Sequence, residues 1–292
     1  MLSYIEPVFR PPSEWKSLIL QVTNGCSWNH CAFCDMYTQE QKRFRAFNLE
    51  KVEQDLRRVA ASGAQVSRVF LADGDAMTLP FARLEQICEL IHHYLPNVSR
   101  ISSYCLPRNL GNKSVEQLQR LRQLKLSLLY VGCESGDDEV LTRIGKGESY
   151  ASSLAALEKI RAAGIKSSVM ILNGLGGVAL SRQHALNSAR LMNEVQPDYL
   201  STLVVTLPLG KERMDSAFDG DFQMPDQRQL LLEMRYLLQE LELKQTIFRS
   251  DHASNYLVLK GILGRDKAKL MATVEEALAG RFALRAEWQR GL

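Results

Sequence analysis

Three cysteines, Cys26, Cys31 and Cys34, fall within nine residues in "TNGCSWNHCAFCDMY" (23–37), while Cys88, Cys105 and Cys133 lie scattered downstream. Thiolates are soft donors, and three in one loop suit a soft metal ion or an iron–sulfur cluster. Two ligand sets are open. The cysteines can hold a cluster that lacks a fourth protein ligand, or His30 can complete a Cys3His zinc site. Spacing favours the first, because structural zinc sites usually bring ligand pairs together from separate parts of the chain. Cys88, inside the helical pattern "LEQICELIHH", reads as a small buried apolar side chain, and Cys105 and Cys133 read as packing at strand ends.

Such a loop needs a rigid rim around it. The short apolar runs "SLILQVT" (17–23), "SRVFLAD" (67–73), "RISSYCL" (100–106), "LSLLYVG" (126–132), "IKSSVMIL" (165–172) and "DYLSTLVVT" (198–206) predict six strands. Between them, "NLEKVEQDLRRVAASG" (48–63) and "SYASSLAALEKIRAAG" (149–164) predict helices, started by Asn48 and Ser149 and closed by Gly63 and Gly164. Six βα units in series predict an α/β fold with a parallel sheet covered by helices, either open or curled into a complete or partial barrel. In both, ligands gather at the C-terminal strand ends. There the chain carries the cysteine loop, "ADGDAM" (72–77), "YCLPRN" (104–109), "GCESGDDEV" (132–140) and "NGLGG" (173–177). The last lacks G-x-G-x-x-G spacing, so it is no dinucleotide fingerprint.

After residue 206 the alternation weakens. Residues 208–226 read as loop, 227–243 as helix, 246–261 as irregular and 266–280 as a last amphipathic helix. We therefore expect a core over 1–206, with its cluster loop at 24–37, and a C-terminal extension over 207–292. The sequence of 292 residues is 46% hydrophobic and 24% charged, ordinary for a soluble protein. A net charge of +3 falls short of the basic stripe of a dedicated nucleic-acid binder. The N-terminus shows no signal-peptide pattern, and no run of about 18 apolar residues predicts a membrane span. The expected location is the cytoplasm, where thiols stay reduced and clustered cysteines bind metal or do chemistry.

A [4Fe–4S] cluster on three cysteines leaves one iron open to a small chelating ligand. S-adenosylmethionine (SAM) offers an amino and a carboxylate group for chelation and a sulfonium that one electron can cleave. Rims bearing "DGD", "SSY", "ES" and "GLGG" supply polar groups and small residues for such a ligand. With the cysteine loop ending in Phe33-Cys34, then "ADGD", "GCESGDDEVLTRIGKG" and "LNGLGG", the chain resembles the radical SAM superfamily. The likeness is to the branch sharing its core with elongator-type and oxygen-independent coproporphyrinogen oxidase-like proteins, and it covers roughly residues 17–206. The loop departs from the usual pattern by one residue, with four between its first two cysteines. "FRPPSE", "KRFR" and "FRSDHASNYL" resemble a widespread bacterial group of radical SAM proteins.

The resemblance implies a partial (βα)6 TIM-like barrel with a helical C-terminal extension, an enzyme that uses a [4Fe–4S] cluster and SAM, and an electron donor such as flavodoxin or ferredoxin. It implies Cys26, Cys31 and Cys34 as cluster ligands and Phe33 as the aromatic beside adenine. Asp73-Gly74-Asp75 takes the place of a Gly-Gly-Glu motif at the SAM amino group, with either aspartate available for the contact. Glu134 and Ser135 fall where SAM polar groups are met, Lys146 where its carboxylate is met, and Ser103 and Gly176 complete the set. Outside it, His252 is the candidate for substrate or proton work, because histidine titrates near neutral pH. Alternatively, Arg249, Asp251, His252, Asn255 and Tyr256 form a polar network tying the extension to the core. "KRFR" (42–45) either meets an anionic substrate or makes surface salt bridges.

Overall fold

The computed structural model describes residues 2–290 and divides into two compact units interleaved in sequence. One comprises the chain up to Asn29 with Met36–Val131 and Glu158–Ser167; the other comprises His30–Asp35, Gly132–Leu157 and Ser168 onward.

The first unit opens with strand β1 (Leu18–Gln21) and a small antiparallel pair, β2 (Thr23–Asn24) with β3 (Arg45–Ala46). Helix α1 (Leu49–Ala61), β4 (Arg68–Ala72), α2 (Phe81–Tyr94), β5 (Arg100–Cys105) and α3 (Val115–Gln123) follow, and β6 (Leu126–Glu134) leads out of the unit. Strand β1 pairs parallel with β4, β4 with β5, and β5 with β6. A sheet covered on both faces must be apolar along its strands, and Val69, Phe70, Leu71 and Ala72 are all fully buried. In α1 the Asn48 side chain accepts from the Lys51 N–H at 3.0 Å, while Val52, Leu56 and Val59 form the buried stripe.

The second unit contains α4 (Asp138–Arg143), most of α5 (Tyr150–Ala162) and of β7 (Lys166–Asn173), then α6 (Gly177–Val195) and β8 (Tyr199–Val204). Helices α7 (Glu212–Ala217) and α8 (Gln227–Glu240), strands β9 (Ile247–Ser250) and β10 (Leu259–Ile262), and α9 (Leu263–Leu278) complete it. Strand β7 runs parallel to β8 and β8 to β9, while β10 returns antiparallel to β9. Its core gathers Val140, Leu141, Ile144, Leu175, Val205, Met214, Phe218 and Phe222, with Phe33 packed against it.

All six expected strands and both capped helices form. Two expectations for the C-terminal part fail. The stretch 208–226 holds the short helix α7, and 246–261 holds β9 and β10. Four-residue strands carry too few residues to show alternation, and only pairing with a partner defines them.

Candidate functional site

In the first unit the cysteine loop leaves β2 through Gly25 and Cys26. Gly25 has φ +70, and a side chain there would strike the Lys42 carbonyl. Gly74, at φ +40, lies so close to the Gly25–Cys26 backbone that a Cβ would overlap the Gly25 carbonyl. Glycine is therefore required at both positions for the "DGD" turn to press against the cysteine loop. The two flanking aspartates brace the loop differently. Asp75 accepts from the Ser27 N–H at 3.0 Å, from the Ser27 hydroxyl, and from Asn109 Nδ2 at 3.4 Å. Burial raises its pKa, opposed by the Ser27 and Asn109 bonds. Asp73 is ion-paired with Lys42, both side chains being wholly buried. Lys42 also donates to the Ile5 carbonyl at 3.0 Å, and Tyr37 OH accepts from the Gly74 N–H at 3.0 Å. Lys42 of "KRFR" is thus neither a surface salt bridge nor a substrate contact, while Arg43 and Arg45 are exposed. Ser103 Oγ donates to the Leu71 and Tyr104 carbonyls at 3.2 and 2.9 Å.

In the second unit Cys31 and Cys34 sit in a turn closed by the Cys34 N–H donating to the Cys31 carbonyl at 3.2 Å. Arg213 holds this turn from α7. Its guanidinium reaches the Cys34 carbonyl twice at 3.1 Å and the Cys31 carbonyl at 3.4 Å, and it pairs with Asp35. The Ala32 N–H donates to the Ile144 carbonyl at 2.8 Å, fixing the turn beside Gly145.

Glu134 ends β6 in the left-handed region, at φ +64, a costly conformation outside glycine that collects at functional sites. The turn folds its carboxylate back over Gly132, where a Cβ would collide with it. Lys146 Nζ meets Glu134 Oε1 at 3.0 Å, both residues buried. Burial alone would lower the lysine's pKa, but the Glu134 carboxylate and then the Cys31 thiolate raise it. The neighbouring Cys133 is pushed up to about 12, first by burial and then by Glu134, so it stays a neutral packed thiol. Cys88 is likewise fully buried.

Ser135 Oγ contacts His184 Nδ1 at 2.7 Å and accepts from the Asp137 N–H at 2.9 Å. Glu233 of α8 accepts from the Gly174 N–H at 2.7 Å and the Ser181 hydroxyl at 2.5 Å, and lies 3.7 Å from His184 Nε2. Gly176 starts α6 within this clamp, and Phe33 packs on the core cluster that includes Leu175. His252 Nδ1 accepts from the Ser254 N–H at 3.1 Å, and its carbonyl accepts from Arg285 at 2.8 Å. Asn255 donates to the Thr202 carbonyl at 2.8 Å and accepts from the Val204 N–H at 3.0 Å, tying this turn to β8.

Sequence reading missed Ser27, Asn109, Gly132, His184, Arg213 and Glu233. Ser27, Asn109 and Gly132 stood in rim stretches already singled out, whereas His184, Arg213 and Glu233 did not. Among the described residues no three His, Cys, Asp or Glu side chains stand grouped as a ready metal site. No described helix is long and apolar enough to cross a membrane.

Heme chaperone HemW of Bacillus subtilis is 24% identical over 166 residues, covering 54% of this chain and 43% of HemW. Hopanoid C-3 methylase of Methylococcus capsulatus is 26% identical over 156 residues, covering 52% of this chain and 28% of the methylase. Among solved structures, coproporphyrinogen III oxidase (HemN) from Escherichia coli, described as a radical SAM enzyme, superposes with a TM-score of 0.55 at 19% identity, covering 77% of this chain and 50% of HemN. The cobalamin-dependent S-adenosylmethionine radical enzyme OxsB gives a TM-score of 0.52 at 14% identity, covering 94% of this chain and 38% of OxsB. The matches span half or less of each of these proteins. The structural likeness shows the fold, and the coproporphyrinogen oxidase-like resemblance read from the motifs stands. Residues 20–188, more than half of the sequence and the stretch that carries all three clustered cysteines, match the model of the Radical SAM superfamily, and the chain belongs to that family.

Proposed function

We propose that this chain is an enzyme that binds a [4Fe–4S] cluster through Cys26, Cys31 and Cys34 and holds SAM beside it. Held by these cysteines, a cluster would supply the chemistry of one-electron cleavage of SAM to methionine and a 5′-deoxyadenosyl radical able to take hydrogen from a substrate. The observation that carries the reading is the three-cysteine loop within the matched stretch, its backbone fixed by Arg213 on the Cys34 carbonyl and by Asp75 on the Ser27 N–H. The donor set fits the group: three thiols, with the Lys146 ammonium favouring the Cys31 thiolate. Of the two aspartates, Asp73 is neutralised by Lys42, so we assign the SAM amino group to the Asp75 side of the turn. Glu134, Ser135 and Lys146 would position its polar groups, Phe33 and Gly176 its adenosine, and Ser103 the rim. Residues 1–206 would form the core and 207–292 an extension whose Arg213 and Glu233 steady it. A small redox protein, of the flavodoxin or ferredoxin kind, would supply the electron.

The test is anaerobic reconstitution with iron and sulfide, then incubation with SAM and dithionite. Brown protein that releases 5′-deoxyadenosine is expected, with iron lost in Cys26→Ala, Cys31→Ala and Cys34→Ala and kept in Cys88→Ala and His30→Ala. Colourless zinc-loaded protein that loses its metal in His30→Ala would overturn the reading.

A further inference from the structure

Helix α6 buries His184, only 1% exposed, which belongs to neither the cluster ligands nor the residues assigned to SAM. Both ring nitrogens are engaged. Nε2 lies 3.0 Å from the Leu172 carbonyl, which can only accept, so Nε2 carries a proton. Ser135 is fully buried, and its Oγ, already accepting from the Asp137 N–H, lies 2.7 Å from Nδ1. A buried hydroxyl needs an acceptor, and among the described residues Nδ1 is the one within its reach, so Ser135 donates to His184. His184, Asn187 and Ser188 share a face of α6, and that face grips the residues that follow. The Gly136 N–H donates to Ser188 Oγ at 2.9 Å, and Asn187 Nδ2 donates to Asp137 at 2.5 Å. Gly136 lies so close to the helix that a Cβ would overlap the Asn187 carbonyl. Residues 135–137 are thus pinned directly after Glu134, whose left-handed backbone at φ +64 persists only where its surroundings over-determine it.

We propose that His184 is a positioning residue for SAM binding. By taking the Ser135 proton it fixes the chain directly after Glu134, and so holds the Glu134 carboxylate on Lys146 at the rim. The same ring reaches the end of β7 through Leu172 and stands 3.7 Å from Glu233, which holds the Gly174 N–H. One buried imidazole thereby ties the strand end bearing Glu134 to the strand end that precedes Gly176. This role rests on the enzyme reading proposed above, and adds to it the α6 side chain on which the geometry of Glu134 depends.

SAM is titrated calorimetrically into the reconstituted full chain and its variants at equal iron content, with melting temperatures measured on the same samples. His184→Asn places its amide near Nδ1 and keeps an acceptor for Ser135, while His184→Gln places its amide near Nε2 and keeps the donor to Leu172. His184→Asn should bind SAM nearly as the parent does, whereas His184→Gln and Ser135→Ala should each bind about tenfold more weakly, as for one lost hydrogen bond. Adding His184→Gln to Ser135→Ala should cost nothing further, because the histidine acts through that hydroxyl. Parent-like SAM affinity in His184→Gln or in Ser135→Ala would overturn the proposal whatever the melting temperature, since a merely structural histidine moves only the latter. Equal weakening in His184→Asn and His184→Gln, or additive losses in the double variant, would overturn it as well. A parent chain that binds no SAM would sink the enzyme reading and this role together, whereas a parent that binds SAM beside an unaffected His184→Gln sinks this role alone.

Discussion

Lys42→Met strikes a pair whose two side chains are both fully buried. The substitution leaves the Asp73 carboxylate in the interior without its cation, held by the Gly74 N–H at 2.8 Å and the Tyr37 hydroxyl. Removing one partner of a buried ion pair costs about 3–5 kcal/mol, most of it the penalty of the charge left behind. Against a total stability of roughly 5–15 kcal/mol that is a large share. At about 2–4 °C per kcal/mol for a large domain, the melting temperature should fall by roughly 6–20 °C. Asp73→Asn in the Lys42→Met chain keeps the oxygen that accepts from Gly74 and removes the stranded charge, so it should restore most of the loss. The assay is thermal unfolding of parent, both single variants and the double variant under argon, at equal iron content. A Lys42→Met melting temperature indistinguishable from the parent would refute the reasoning. So would a double variant as unstable as the sum of the single variants, since the pair would then not be coupled.

Arg213→Gln removes the contacts to Cys31, Cys34 and Asp35. Because the guanidinium is half exposed, the fold should lose only about 1 kcal/mol. Iron retention against a chelator should nevertheless fall, which competition with bathophenanthroline checks. Asp75→Asn and Glu134→Gln should assemble iron normally yet bind SAM about ten- to a hundredfold more weakly by calorimetry, each losing one charge-assisted hydrogen bond. Glu233 has its pKa raised by burial, with His184, Ser181 and Gly174 opposing. A carboxyl raised in the folded state favours folding in its protonated form. That contribution is complete below the ordinary carboxylate range and is lost as pH rises through the raised value. Glu233→Gln should therefore gain stability relative to the parent as pH rises over that interval, which melting curves across pH will show.

The cysteine loop, the six strands and the capped helices were legible in the sequence because each depends on near neighbours. Thiol spacing, apolar runs and an Asn or Ser ahead of an amphipathic stretch are local signals, and the structure places β1, β4, β5, β6, β7 and β8 where the runs lie. The supports of the site were not legible. Lys42 reaches Asp73 across 31 positions, and Arg213 reaches Cys34 across 179. Nothing near Lys42 in "KRFR" distinguishes a buried lysine from a solvated one, and Arg213 lies in a stretch that reads as loop. Glu134 appeared as one more acid at a strand end; only its left-handed backbone and the open space over Gly132 turn its carboxylate to Lys146. Composition and periodicity report what a residue prefers. A buried charge is set instead by which distant group arrives within bonding distance, and that is decided only when the chain has folded.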